Sequence, residues 1–446
     1  MRARILALAS LLAAASLSAQ NSALDAKVDQ ELPSLVTTYK ALHAAPELSH
    51  HEDKTAAMLA HELRVFGYDV TEHVGKYPKP EWQGHGIVAL MKNGAGPTVL
   101  VRADMDALPV EEQTGLLYAS HVHTKNDAGV DVGVMHACGH DIHVTSLIGT
   151  AKLLAAMKDQ WHGTLVLIGQ PSEETIDGAK SMLADGLYSR IPKPDYALAL
   201  HDSSELETGK IAYTPGYALA SSTSVDVTIR GRGAHGSRPE VSKDPIVLAA
   251  QFILAIQTIV SRENSPFDPA VVTVGSIHGG TKYNIIPDDV HLQLTIRTYK
   301  EEVRQHILAS LDRIAKGVAL AGGVPEDRAP IVKASETEVT PAMYNDPALT
   351  EREVSALKRG LGADNIVEKP PVMGSEDFGQ FGLEGHKIPT FMFMVGAIDT
   401  DRIATSQKTG VPLPSLHSSL FWPVPDTTIR TGVKAMTVAV LELMKK

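Results

Sequence analysis

The stretch HACGHDIHVTSLIGTAKLLAAMKDQWHGTLVLIGQPSEE, residues 136–174, decides the fold class of this chain. Within it, Asp141–Met157 has the apolar spacing of a helix, and Thr164–Ile168 is a short apolar run of strand length. Further runs of strand length occur at Ile87–Met91, Thr98–Val101, Tyr196–Leu200 and Thr390–Val395. Helical stretches alternate with several of these runs, which predicts an α/β domain whose sheet is covered on both faces.

The middle of the chain has a different pattern. Strands are predicted at Ser222–Ile229, Ala270–Ile277, Val290–Thr298 and Ala329–Ala334, with helices at Asp244–Ser261 and Lys300–Leu320. This order, βαββαβ, is the split βαβ pattern, and a unit of about 120 residues could fold alone. We therefore predict a compact domain at 218–340, inserted into an α/β domain formed by 20–217 and 341–446.

The composition of the 446-residue chain is that of a globular protein, with 43% apolar and 21% charged residues. No interior stretch reaches the ~18 uninterrupted apolar residues of a membrane span, which excludes a protein with several spans. Basic minus acidic residues give 41 − 52 = −11, and an acidic chain lacks the surface that nucleic acids require. The single cysteine excludes an internal disulfide framework and a four-cysteine zinc module.

The first nineteen residues are typical of an export signal. Arg2 and Arg4 precede the apolar run Ile5–Ala15, and small residues follow through Ala19. This three-part pattern predicts a secretory signal peptide, residues 1–19, with a buried helix or a membrane anchor as the alternative. Because the leader holds two arginines and no acid, the mature charge would be 39 − 52 = −13. The mature chain is expected to be periplasmic or secreted, with no stable membrane anchor.

A cysteine stands between two histidines where the helix of the quoted stretch begins. A helix N-terminus favours the thiolate form of Cys138, and thiolate and imidazole are good ligands for Zn²⁺ and neighbouring metals. Without a disulfide partner, an exported cysteine is buried, reactive or metal-bound. The polar, flexible neighbours of Cys138 favour the metal site over a buried structural cysteine. Asp141 could orient His140 or cap the helix.

Acidic side chains follow two of the predicted strands. Asp104 and Asp106 come just after one strand at i and i+2, so they share one face in extended chain, although aspartate is also a common turn residue. Glu173 and Glu174 follow another strand, where open α/β sheets place ligand sites. Neighbouring residues in extended chain point to opposite sides. One glutamate could therefore bind a metal while the other faces a bound water.

In their order along the chain, these motifs resemble the two-metal aminoacylase/carboxypeptidase amidohydrolases, most closely the hippurate hydrolase and indole-acetyl-amino-acid hydrolase branch. The resemblance rests on the motifs His136-Ala-Cys-Gly-His-Asp141, Gln170-Pro-Ser-Glu-Glu174, Leu200-His201 and Gly374-Ser-Glu-Asp-Phe378, and it covers roughly Leu35–Leu441. It implies a two-metal aminopeptidase-like catalytic domain with an inserted ferredoxin-like lid that often mediates dimerisation. The domain pattern above agrees with this.

The resemblance also implies a metal centre of two divalent ions per subunit. Its five ligands would be Cys138, His140, Glu174, His201 and His417. Such a set suits zinc first, with manganese, cobalt or nickel as alternatives. Glu173 would be the general base. Asp104 and Asp106 match a pair that replaces His-x-Asp in related peptidases; we take Asp106 as the catalytic member, although the residues alone do not divide the two roles.

Three residues of the predicted lid are implied in substrate handling. His235, in Gly233-Ala-His-Gly-Ser-Arg-Pro239, matches a histidine that polarises the scissile carbonyl, in some relatives across a dimer interface. Asn284 and Arg297 match groups that hold the substrate carboxylate, and arginine suits bidentate carboxylate binding. Without the resemblance, Arg297 would be interpreted as a surface residue and His235 as a turn residue. A homodimer or higher oligomer formed through the lid is expected.

The implied reaction is hydrolysis of an N-acyl amino acid, hippurate-like or a related conjugate, to a carboxylate and a free amino acid. Two ions sharing one water would lower its pKa towards ~7, and Glu173 would take the proton and pass it to the leaving nitrogen. A metal and His235 would stabilise the oxyanion. The alternatives are a dipeptidase or carboxypeptidase of the same fold and a non-catalytic periplasmic binding protein. A glutamate that is not a ligand argues against the last of these.

Overall fold

The computed structural model describes residues 2–383 and 385–446, with side chains from Asn21 onward. The chain divides into two compact units. The first comprises the chain up to Gly216 with Asn345–Pro370 and Phe381–Lys446, and the second comprises Tyr217–Tyr344 with Pro371–Gln380. The side chains of the predicted leader, residues 1–19, lie outside the described set, and the leader stays a prediction.

The described residues form ten α-helices and eighteen strands. The helices are α1 (Arg2–His43), α2 (Asp53–Val65), α3 (His140–Ala156), α4 (Gly178–Ala184), α5 (Leu187–Arg190), α6 (Pro245–Thr258), α7 (Glu301–Ala321), α8 (Pro347–Leu361), α9 (Thr400–Thr409) and α10 (Pro425–Met444). The strands are β1 (Asp69–Val74), β2 (Gly86–Asn93), β3 (Thr98–Asp104), β4 (His123–Lys125), β5 (Asp131–Gly133), β6 (Gly163–Gln170), β7 (Tyr196–Glu207), β8 (Ile211–Tyr213), β9 (Gly216–Leu219), β10 (Ser221–Arg230), β11 (Ala234–His235), β12 (Ala270–His278), β13 (Ile285–Ile286), β14 (Asp289–Thr298), β15 (Ile331–Thr340), β16 (Met343–Asn345), β17 (Ile366–Glu368) and β18 (Thr390–Ile398).

The first unit is built on an eight-stranded sheet in the order β1-β2-β6-β3-β7-β18-β8-β17. Its centre is parallel, since β6 pairs with β3, β3 with β7, and β7 with β18 in the same direction. Antiparallel pairs, β1 with β2 and β2 with β6, extend it on one side. The carboxyl ends of the four central strands therefore lie along one edge of the sheet.

Both faces of this sheet are covered, as the alternation of strands and helices predicts. All seven residues of β3 are buried, which is typical of a strand with packing on both sides. Helix α3 contacts α1 and α10, and 14 of its 17 residues are buried. A helix that is buried all round lies in the core. The expected α/β class is confirmed, and α3 packs against strands β3 and β7 of the sheet.

The second unit has the predicted βαββαβ order, formed by β10, α6, β12, β14, α7 and β15. Its antiparallel sheet has the order β12-β14-β10-β15. Residues on β14 alternate between buried and more exposed, so one face of the sheet packs against the helices. That core includes Val225, Leu292, Phe252 and Leu311. The inserted ferredoxin-like unit is confirmed.

One described stretch, Pro245–Glu263, is long and apolar enough by length and composition to cross a membrane. It consists of α6 and one further helical turn. Leu248, Phe252 and Ile256 on this helix are buried in the core of the second unit. Core packing therefore accounts for one side of this stretch, whereas Ile246, Val247 and Leu254 on it are exposed.

The second unit extends beyond the predicted limits 218–340, since its first segment runs from Tyr217 to Tyr344. It also includes Pro371–Gln380, which the sequence pattern assigned to the catalytic part 341–446. Backbone hydrogen bonds explain the difference, because Ala220 N donates to Gly374 O at 2.8 Å and Val372 N donates to Ala218 O at 3.0 Å. The motif Gly374–Phe378 thus belongs to the second unit.

Candidate metal centre and active site

The predicted acids and histidines of the first unit meet at the carboxyl edge of the central strands. β3 ends at Asp104, which is in register with Gln170 at the end of β6. On its other side β3 pairs with β7, on which His201 lies. Ligand sites of open α/β sheets occupy this edge. His201 therefore lies at the same edge as the acidic residues.

The cysteine motif reaches the same edge through the first turn of α3. Gly139, the residue before this helix, has a left-handed φ of +75°. A Cβ at Gly139 would lie 2.3 Å from Asp202 Oδ1, closer than any real contact. Only glycine fits there, and its absence of a side chain lets the cysteine motif pack against the end of β7. Cys138 Sγ is consequently 3.7 Å from His201 Nε2.

Hydrogen bonds orient both buried histidines towards a common centre. His140 Nδ1 lies 2.9 Å from Asp106 O and 3.2 Å from Asp106 Oδ1. His201 Nδ1 lies 2.7 Å from Asp202 O. Because carbonyl and carboxylate oxygens accept, these contacts assign the proton to Nδ1 in each ring. The Nε2 lone pairs are left to face the centre, as metal ligation requires.

Glu174 and His417 complete the group of predicted ligands. Glu174 Oε1 lies 3.8 Å from His140 Nε2, and its Oε2 lies 3.5 Å from His417 Nε2. His417 N donates to Ala137 O at 2.8 Å, which fixes the late loop beside the cysteine motif. His417 is 54% exposed, whereas His140 is fully buried. All five predicted ligands thus lie at one centre.

The donor atoms are close enough to hold metal ions. Cys138, His140 and His201 form one group, and Cys138, Glu174 and His417 form another; within each group the donor atoms all lie within 4.8 Å of one another. Cys138 belongs to both groups. Among the described residues, His140 Nε2 and Glu174 Oε1 are buried atoms without a hydrogen-bond partner. Since buried polar atoms are normally satisfied, this centre fits a cation.

Two pKa shifts agree with a site that needs positive charge. Burial raises the pKa of the Cys138 thiol well above its usual range, and the nearby Glu174 adds to this shift. Burial also raises the pKa of Glu174 to about 7. A bound cation would favour the charged forms of both groups and reverse these shifts.

The two aspartates occupy different positions, which the sequence could not distinguish. Asp104 contacts Arg102 Nη1 at 2.6 Å and His143 Nδ1 at 2.5 Å. Although burial disfavours its charge, Arg102 holds the pKa of Asp104 well below its usual range. Asp106 accepts hydrogen bonds from Glu174 N at 3.0 Å and from Ser49 Oγ at 2.7 Å, besides its contact with His140. Asp106 therefore supports two ligands directly.

Glu173 also lies at the centre, where its carboxylate forms a further group of possible ligands with His140 and Glu174. Its Oε2 is 3.9 Å from His140 Nε2, and the residue is 6% exposed. A carboxylate beside the ligands, at the rim of a buried centre, is placed to exchange a proton with a water molecule there.

In the second unit the structure brings two of the three predicted residues together. His235 pairs with Ile285 between β11 and β13, and Gly236 N donates to Asn284 O at 2.8 Å. His235 Nδ1 accepts from Ser237 N at 3.1 Å and lies 2.7 Å from Ser237 Oγ. In the neutral ring the proton is therefore on Nε2, which is a hydrogen-bond donor.

Arg297 lies at the opposite end of the sheet in the second unit. The register of β10 with β14 pairs Arg230 with Asp289 at one end and Ser222 with Arg297 at the other. About eight residues of strand, roughly 26 Å, separate these ends. Arg297 Nη1 donates to Ser375 Oγ at 2.5 Å, and burial lowers the pKa of its half-buried guanidinium. Within one chain, Asn284 and Arg297 are thus not neighbours.

Several supporting residues were not predicted. They are Ser49, Glu52, Arg102, His143 and Asp202, all of which contact site residues or the residues next to them. Arg102 could have been found from the sequence, because it directly follows the apolar run Thr98–Val101. A charged residue that is buried in such a strand needs a partner of opposite charge. Ser49 and Glu52 lie in a loop, Asp202 lies on β7 and His143 lies on the largely buried α3, and periodicity does not predict the hydrogen-bond partners of any of them.

Comparisons with known proteins agree with this geometry. The sequence model of the peptidase family M20/M25/M40 matches residues 100–417. Hippurate hydrolase from Campylobacter jejuni is 37% identical over 76% of this chain and 82% of its own length. Thermostable carboxypeptidase 2 from Saccharolobus solfataricus is 34% identical over 92% and 96%. A Bacillus subtilis structure described as a dinuclear metal-binding peptidase of the M20 family has a TM-score of 0.73 and 28% identity, covering 93% of this chain and 99% of that one.

Proposed function

We propose that this chain, which belongs to the peptidase M20/M25/M40 family and is a hydrolase of amide bonds, acts on N-acyl amino acids. It would cleave them to a carboxylate and a free amino acid at a centre of two divalent ions. One observation carries this proposal: five side chains of types that bind metal ions lie together, and a further carboxylate, Glu173, lies 3.9 Å from His140. A site that only bound a ligand would not need that carboxylate.

The ions would be held by Cys138, His140, Glu174, His201 and His417. We propose zinc first, because thiolate, imidazole and carboxylate together suit it, with manganese, cobalt or nickel as alternatives. When bound, divalent ions polarise a carbonyl and lower the pKa of a water molecule they hold. Asp106 would keep His140 and Glu174 in place through the hydrogen bonds described above.

Glu173 would carry the proton through the reaction. One of its carboxylate oxygens accepts the proton of the attacking water, and the same group then donates it to the leaving nitrogen. His235, with its proton on Nε2, would donate to the oxygen that becomes negative in the tetrahedral state. Arg297 and Asn284 would hold the carboxylate of the amino acid.

The substrate assignment is tested with a panel assayed on protein of known metal content. The panel contains N-acyl amino acids, the matching amino-acid amides, and dipeptides with a free amine. We expect turnover of the N-acyl amino acids, with a lower kcat/KM for the amides because they lack the carboxylate that Arg297 and Asn284 would bind. The carboxypeptidase relative supports a second candidate, a peptidase. Faster cleavage of the dipeptides than of every N-acyl amino acid would favour it.

We further propose that the enzyme is a homodimer in which His235 and Asn284 act on the partner's substrate. The observation behind this is the strand register: His235 and Asn284 lie five residues from the Arg230–Asp289 end of the paired strands, and roughly 26 Å of β14 separates that end from Arg297. A small N-acyl amino acid cannot contact both ends of that sheet.

Mixing two inactive variants tests this arrangement. Glu173→Ala and His235→Ala are each expected to be nearly inactive, but their co-expression should recover about a quarter of wild-type activity, because half the dimers then hold one complete site. Co-expressing Glu173→Ala with Cys138→Ser serves as the control. Both changes lie in the first unit, so no complete site results if His235 alone is exchanged. Absence of recovery in the first mixture would place His235 in its own subunit's site.

Export remains a proposal based on the leader pattern of residues 1–19. The expected amino terminus of the mature protein is Gln20. Sequencing the amino terminus of protein recovered outside the cytoplasm would show Gln20 first, and recovery of the full chain in the cytoplasm would contradict export.

A further inference from the structure

The loop that carries Glu173 has an unusual backbone. Ser172 and Ile176 have φ values of +55° and +54°, in the left-handed region that residues with a Cβ rarely adopt. Ser172 directly precedes Glu173, and Ile176 lies two residues after Glu174. Such a conformation persists only where the surroundings hold it.

Three groups from other parts of the first unit hold Ser172. Its N–H donates to Glu52 Oε1 at 2.7 Å, and its hydroxyl donates to the same oxygen at 3.1 Å. The Ser172 Oγ accepts from His50 N at 2.9 Å and from Tyr77 OH at 2.9 Å. The serine is fully buried. Its hydroxyl thus uses its donor and both acceptor positions on neighbours that fix it.

Besides its bonds to Ser172, the Glu52 side chain accepts one further hydrogen bond among the described residues, from His50 N to Oε1 at 3.2 Å. Glu52 is the residue before α2, yet its side chain makes no capping bond to that helix. The cap is supplied by Glu47, whose Oε2 accepts from Thr55 N at 2.8 Å and from Lys54 N at 3.0 Å. Glu52 is fully buried and contacts, 120 residues away, the one backbone N–H that precedes the proposed base. Burying a carboxyl group costs free energy unless hydrogen bonds compensate it, and for Glu52 the bonds to Ser172 contribute that compensation.

We propose that Glu52 is a positioning residue for Glu173, holding Ser172 in its left-handed conformation and thereby fixing where the Glu173 carboxylate lies. This role rests on the proposed function. It should affect Glu173 more than the ligand next to it, because Glu174 has its own anchor, the hydrogen bond from its N–H to Asp106 Oδ2 at 3.0 Å. Loosening Ser172 should therefore lower the rate of proton transfer and leave the metal ions bound.

Glutamine offers a close replacement for Glu52. Burial, with a contribution from the charge of Asp106, raises the pKa of Glu52 well above its usual range. A neutral amide of the same length keeps an oxygen at the position of Oε1. Aspartate keeps a carboxyl group but is one methylene shorter, so it should not reach Ser172 N.

The test compares Glu52→Ala, Glu52→Asp and Glu52→Gln with the wild type on N-acyl amino acids. For Glu52→Ala we expect kcat to fall about a hundredfold, as for a small displacement of a catalytic group, with KM and metal content unchanged. Glu52→Asp should show the same pattern without the loss of a buried side chain, and Glu52→Gln should restore most of kcat. Glu47→Ala, which removes the cap of the same helix, is the matched control and should keep kcat near the wild-type value.

The outcomes separate this role from the proposed function. A metal-loaded wild type that cleaves none of the panel overturns the proposed function and the positioning role with it. An active wild type with equally active Glu52→Ala and Glu52→Asp overturns the positioning role alone. Loss of metal in Glu52→Ala also overturns the positioning role, because Glu52 would then support the ligands. If Glu47→Ala loses as much kcat as Glu52→Ala, the effect comes from a less stable helix α2, and the positioning role is again overturned.

Discussion

Glu173→Ala is expected to retain its metal ions and to lose turnover by roughly 10²–10⁴-fold, the range typical of removing a general acid–base group. The reason is geometric. Glu173 lies 3.9 Å from His140 and within 4.8 Å of the donor atoms of His140 and Glu174, but it is not one of the five residues that we propose as ligands. Removing it should take away the proton carrier and leave the cation site in place.

The measurement is kcat together with metal content in the same preparation. Glu173→Gln is the matched variant, since it keeps the shape of the side chain and cannot take a proton. Both variants should fall to a similar residual rate, and KM should change little. Wild-type kcat in either variant would remove Glu173 from the reaction, whereas loss of metal from both would make it a ligand.

Cys138→Ser is expected to lower metal affinity by at least about a hundredfold, more than the loss of an outer-shell partner usually costs. Cys138 belongs both to the group with His140 and His201 and to the group with Glu174 and His417, so its loss should weaken metal binding by both groups. A serine hydroxyl is a much poorer ligand for zinc than a thiolate. Activity should fall in proportion to occupancy.

This site should also lose metal on acidification. Because burial raises the pKa of Cys138, the thiol is protonated in the metal-free protein, and binding an ion must release that proton. Affinity should therefore decrease as the pH falls, and more steeply for the wild type than for Cys138→Ser. Elemental analysis after dialysis at several pH values measures both effects. If Cys138→Ser binds as many metal ions per chain as the wild type, Cys138 is an ordinary buried cysteine and not a ligand.

The fold was predictable where the chain is periodic. The strands of the central sheet are continuous apolar runs, and β10 and β14 alternate, so the α/β class and the inserted unit follow from local pattern. The segment Pro371–Gln380 was not assigned correctly because its place depends on backbone hydrogen bonds to distant residues. The bond between Ala220 N and Gly374 O, for example, joins residues 154 positions apart in the chain. No local periodicity records such a contact.

The candidate site was predictable as a set of ligands and less so as a set of supports. The ligands could be predicted from their residue types, since cysteine, histidine and glutamate near strand ends favour a metal site. The division of labour between Asp104 and Asp106 depends on Arg102, His143 and Ser49, which are hydrogen-bond partners. Glu52 looks in sequence like any acid at a helix start. Its partner only becomes visible once the chain is folded.

The most direct test of the whole account is anomalous diffraction from crystals of the metal-loaded protein, recorded at the absorption edge of the bound metal. We expect two peaks in the first unit, with the atoms of Cys138, His140, Glu174, His201 and His417 at about 2.0–2.3 Å from them and no oxygen of Glu173 at that distance. A single peak, or a Glu173 oxygen bound to a metal ion in place of one of those five ligands, would contradict it.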